Sequence, residues 1–81
     1  MDENSEVFEQ AVAQAVRHVA EGKQRLARQR ELIDRLERDG HTNMLPEARS
    51  TLADMERLQK EMERHVTDQR RLLADYKQRN P

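Results

Sequence analysis

Residues 38–49 read RDGHTNMLPEAR and interrupt a chain that is otherwise built almost wholly from helix formers. The sequence has only two glycines and two prolines, and this stretch holds one of each. On its N-terminal side, Ser5 to Asp39 are mostly Ala, Gln, Arg, Glu and Leu, all of which favour or tolerate a helix. Asn4 or Ser5 is placed to cap that helix, with Glu6 and Glu9 near the positive end of its dipole. Arg35 and Arg38 suit the negative end, and Gly40 can take the left-handed conformation that closes it. Thr42 or Asn43 is the expected cap of a second helix. Pro46 then falls in its first turn, where a missing N–H has no partner to lose. The boundaries expected are helix 1 over about 5–39, a loop at 40–44 and helix 2 over about 44–79, with Pro81 ending the chain. Val, Ile, Thr, Tyr and Phe are sparse and never alternate with polar residues, so no strand is expected. One short loop between two long helices predicts an all-α, antiparallel two-helix hairpin with coiled-coil-like packing.

Helices packed along their length need apolar residues at intervals of three and four. Helix 1 supplies Phe8, Val12, Ala15, Val19, Gly22, Leu26, Gln29, Ile33 and Leu36. Helix 2 supplies Leu45, Ala48, Leu52, Met55, Gln59, Met62, Val66, Gln69, Leu73 and Tyr76. Folding the chain at Gly40 sets Leu36 against Ala48, Ile33 against Leu52, Val19 against Val66, Val12 against Leu73 and Phe8 against Tyr76, with a sum of residue numbers constant to within one. Gly22 faces Met62 in this register, where a flexible side chain could fill the space left by a missing one. On one flank the charges agree with this register independently of the apolar residues. Glu37 meets Arg49, Arg30 meets Glu56, Lys23 meets Glu63 and Glu9 meets Lys77, while Val16 with Arg70 is not an opposite pair. Each such surface pair contributes only about 0.2–1 kcal/mol, so they argue for register more than for stability.

The other flank reads differently: Leu32 opposes Thr51, Arg25 opposes Leu58, His18 opposes His65, Ala11 opposes Leu72 and Asp39 opposes Met44. A lone hairpin leaves Leu32, Met44, Leu58 and Leu72 without full cover. Burying a leucine contributes about 1.5–3 kcal/mol, which matters to a chain of 81 residues that cannot enclose a large core. A homodimer joined through this flank into a four-helix bundle is therefore expected, with Ala11, His18, Leu32, Met44, Leu58, His65 and Leu72 at the interface. A hetero-bundle with another helical protein, or surface leucines scattered on a monomer, are the alternatives.

Composition narrows the function classes. There is no cysteine, which excludes disulfides and thiolate metal sites. Charged residues make up 38% of the chain but balance to −1, so nucleic acid has no global electrostatic attraction to it. The locally basic KQRLARQR (23–30) keeps Lys23, Arg25, Arg28 and Arg30 as a secondary nucleic-acid candidate, weakened by the lack of interleaved aromatics. The opening MDENSEVF has no basic stretch followed by an apolar one, and no apolar run approaches the ~18 residues of a membrane span. A cytoplasmic protein with no membrane partner is the expectation.

His18 and His65 carry the sharpest chemistry, because the register opposes two imidazoles with Glu21, Glu61 and Asp68 a turn away. Imidazole and carboxylate on facing helices is what a metal site in a bundle needs. Packing and hydrogen bonding at an interface is the commoner role of such histidines, and a pH-sensitive contact is a third reading, since imidazole titrates near neutrality. His41, in the loop, is expected to satisfy carbonyls at the end of helix 1. Ser5, Ser50, Thr42, Thr51 and Thr67 have no base and acid around them, and the two glycines are too far apart for a phosphate loop. No enzymatic activity and no cofactor are expected.

The run HVAEGKQRLARQRELIDRLERDGH (18–41), followed by EARSTLADMERL (47–58), resembles a group of small helical proteins of alphaproteobacterial type and unknown function. The shared pattern is H-x-A-E-G, then R-Q, spaced leucines and G-H before a second helix. It covers about half of this chain, and the loop HTNMLP is longer than the usual one. The resemblance implies a small bacterial helical hairpin and assigns no functional residue. With the apolar flank, it predicts a protein–protein interaction or scaffolding/regulatory module, with nucleic-acid binding and metal or pH sensing as the alternatives.

Overall fold

A computed structural model describes residues 3–80. Helix α1 runs Glu3–Arg38, a short 3₁₀ turn spans Thr42–Met44, and helix α2 runs Leu45–Arg79; there is no strand among the described residues. A helix of 36 residues is about 54 Å long at 1.5 Å per residue. The whole molecule measures only 60 × 16 × 12 Å, so α2 lies alongside α1 in a hairpin-like arrangement. Both helices carry charges that complement their dipoles: Glu3 and Glu6 open α1 and Arg35 and Arg38 close it, while Glu47 opens α2 and Lys77 and Arg79 close it.

The chain leaves α1 through Gly40, whose φ of 75° is left-handed. The N–H of His41 donates to the Leu36 carbonyl at 2.9 Å and that of Gly40 to Glu37 at 3.2 Å, the two nested bonds of a Schellman cap. His41 does satisfy the helix end, but with its backbone. Entry into α2 departs from expectation. Thr42 and Asn43 sit inside the 3₁₀ turn, closed by the Met44 N–H on the His41 carbonyl at 3.2 Å, and the residue before α2 is Met44, which offers no side-chain cap. Pro46 lies in the first turn of α2 as expected. At the other end of the chain, α1 begins at Glu3, so Asn4 and Ser5 lie within its first turn instead of capping it; Pro81 is outside the described residues.

Every seam position is buried or half-buried. Ile33, Leu36, Leu45 and Ala48, with Leu52 against them, form the core next to the turn. Phe8 and Tyr76 close the far end with ring centroids 5.1 Å apart. Two glutamines tie the helices together between these points. Gln29 Nε2 donates to the Ala48 carbonyl and Gln59 Nε2 to the Val19 carbonyl, both at 2.9 Å. The second bond corrects the expected pairing of Gly22 with Met62. Helical carbonyls point toward the next turn, and with no side chain at residue 22 the Val19 oxygen stays open on that side. The Gln59 amide can donate to it, whereas a thioether cannot.

On the charged flank Arg49 bonds Glu37 at 2.7 Å, Arg30 bonds Glu56 at 3.4 Å and Lys77 bonds Glu9 at 2.9 Å. Lys23 and Glu63 form no ion pair. They line an open groove with Val16, Val19, Val66 and Arg70, where both stay solvated and a contact would gain little. Two helices are one layer thick. Among the described residues no large side chain is completely buried, and the best-covered core leucines and isoleucine still show 7–8% of their surface.

Candidate interaction surface

The surface least consistent with a lone pair of helices lies along the flank opposite the ion pairs. Around a helix at 100° per residue, the positions one step off the seam recur every seven residues. On α1 these are Ala11, His18, Arg25 and Leu32, with Asp39 just past its end, and on α2 Thr51, Leu58, His65 and Leu72, with Met44 just ahead of the helix. Leu32 is 40% exposed, Met44 52%, Leu58 56% and Leu72 53%, which makes them four of the six large apolar residues left in solvent among the described residues. The other two, Val7 and Val16, lie elsewhere on α1.

Three shallow grooves follow one another along this flank. Nearest the turn, Leu32, Met44 and Thr51 border one of them; Arg25 and Leu58 border the next, beside Gly22 and Gln59; Ala11, His18 and His65 border the third. Each is lined by seam residues together with flank side chains. Of the residues expected at an interface, Ala11 is half-buried and His18, Leu32, Met44, Leu58, His65 and Leu72 are exposed.

His18 and His65 share a groove, as the register implied. Among the described residues no three His, Cys, Asp or Glu side chains come together in a way that could hold a metal ion. The four basic residues of 23–30 do not form one patch. Arg30 is engaged by Glu56 on the charged flank, Lys23 lines the groove on that same side, Arg25 lies on the apolar flank, and Arg28 is one row further out. No helix among the described residues is long and apolar enough to cross a membrane.

An acidic row borders this flank on α2. The row on α2 next to Thr51, Leu58, His65 and Leu72 consists of Glu47, Asp54, Glu61, Asp68 and Asp75, all exposed. Its signal was present as an acid at every seventh residue, but its meaning depends on knowing which row borders the open flank.

The chain matches no family model, no curated protein and no solved structure.

Proposed function

We propose that this protein is a non-enzymatic interaction module, a scaffold or regulator in which an antiparallel, coiled-coil-like hairpin pairs with a second copy through its apolar flank to make a four-helix bundle. The observation that carries this reading is the alignment of Leu32, Met44, Leu58 and Leu72 in solvent on one flank, beside a seam whose every position is covered. Taking each from roughly half-exposed to buried contributes about 1 kcal/mol. A twofold axis doubles the set, for roughly 8 kcal/mol gross, of the same order as the roughly 4–15 kcal/mol that association costs. So close a balance fits a weak dimer that responds to concentration. Function then resides in helix-on-helix packing, with Leu32, Leu58 and Leu72 as anchors.

Light scattering tests it. The wild type should have twice the 9.6 kDa chain mass, and the Leu58→Glu/Leu72→Glu variant should revert to one chain. A wild type of one chain mass at high micromolar concentration, or a double variant of unchanged mass, overturns the reading.

A further inference from the structure

We infer that the second copy binds with its turn at the same end as the first, about a twofold axis parallel to the helices, so that α1 of each copy lies against α2 of the other. This rests on the self-association proposed above and adds its geometry. Two copies can meet face to face through the open flank about either of two axes, and they bring different charges together. The deciding residues are the rows just outside the flank, which meet at the edges of such a bundle. On α2 this row is Glu47, Asp54, Glu61, Asp68 and Asp75; on α1 it is Val7, Gln14, Glu21, Arg28 and Arg35, and all ten are exposed.

An axis lying across the helices sets α2 against α2. Five carboxylates of one copy then face five of the other, with no cation between the rows. Arg57, which pairs with Asp54, belongs with Arg64 and Arg71 to a row still further from the flank, and these partly screen the acids from behind. An axis along the helices sets the acidic row against α1 of the other copy. Level by level from the turn, Arg35 then meets Glu47 of the second copy and Arg28 meets Asp54 of the second copy. Symmetry repeats both pairs. Glu21 with Glu61 is the one like-charged level, and Arg25, on the flank itself, stands between the levels of Glu61 and Asp54 of the second copy. Like-charge juxtaposition disfavours a docking mode more reliably than exposed ion pairs favour one, and here both effects select the same axis.

The absence of cysteine makes disulfide trapping unambiguous. Residues 28 and 54 lie on the outer edges of two side-by-side helices, each about 10 Å across, so cysteines there exceed the ~7 Å Cα separation a disulfide tolerates within one copy. Under mild oxidation the Arg28→Cys/Asp54→Cys variant should give a covalent dimer and Glu61→Cys should not, because the crosswise axis alone brings residue 61 of the two copies together. The reverse result, or no trapping in a variant that remains a dimer by mass, overturns this geometry and leaves self-association standing. A wild type of one chain mass overturns both. Charge exchange provides a second readout that needs no cysteine. Arg28→Glu/Arg35→Glu should weaken dimerisation about tenfold, and adding Glu47→Arg/Asp54→Arg to the same chain should restore it. Failure of the fourfold variant to recover would also overturn the geometry.

Discussion

Gln59 occupies the space that a side chain at Gly22 would need. A Cβ built on Gly22 would collide with Gln59 Oε1, while Gln59 Nε2 donates to the Val19 carbonyl at 2.9 Å. Gly22 is thus the notch that lets a polar side chain of α2 reach the backbone of α1. The residue filling it is 6% exposed, the best-covered polar residue among those described.

The notch predicts a specific non-additivity. Replacing Gly22 by Ala in the wild type gains about 1 kcal/mol of helix propensity and displaces the Gln59 bond, itself about 1 kcal/mol, so the net change should be near zero. In a Gln59→Ala background nothing remains to displace, and Gly22→Ala should stabilise by about 1 kcal/mol. Urea unfolding of the four chains at one protein concentration gives the coupling directly. Additive effects would show that Gln59 and Gly22 do not share this space.

Gly40 should behave in the opposite way. Nothing lies within 4 Å of a Cβ built there, so space is not limiting, but its φ of 75° is one that other residues adopt at a cost. Gly40→Ala is expected to destabilise by about 1–2 kcal/mol, and Gly40→Asn by less, because asparagine visits the left-handed region more readily. The comparison is a pair of unfolding curves. Equal stability for the three chains would mean that the Schellman cap does not hold the turn.

The dispersed arginines make a prediction about nucleic acid. Lys23, Arg25, Arg28 and Arg30 point to different sides of α1, Arg30 is tied to Glu56, and the α2 surface beside the apolar flank is acidic. Duplex DNA should therefore show no mobility shift at ~50 mM salt, where counterion release would favour binding most. A shift that disappears on going to about 200 mM salt would restore the basic stretch as a functional element.

Much of this protein was legible before folding was considered. Helix formers on both sides of RDGHTNMLPEAR, and apolar residues spaced by three and four, define two helices and name the seam that is covered in the structure, from Phe8 and Tyr76 to Leu36 and Ala48. Those features are local. Helical periodicity assigns each residue to a face without reference to the rest of the chain, and Gly40 ends a helix through its own backbone freedom. The same logic located Leu32, Leu58 and Leu72 on one flank, and their exposure is what a seam one layer deep leaves behind.

Other features were decided only when the helices came together. Gln59, not Met62, fills the notch at Gly22, because the Val19 carbonyl is within reach of an amide donor only across the interhelical gap. Backbone bonds of the 3₁₀ turn, from the Met44 N–H to the His41 carbonyl and from the Leu45 N–H to the Thr42 carbonyl, lead into α2 where a side-chain cap was expected of Thr42 or Asn43. Lys23 and Glu63 stayed apart although their spacing matches that of the three pairs that formed. In each case the sequence by itself determined which face a residue occupies, a matter of period along one helix. Which atom it touches depended on distances and hydrogen-bonding directions between two helices, and no spacing rule within one helix contains those.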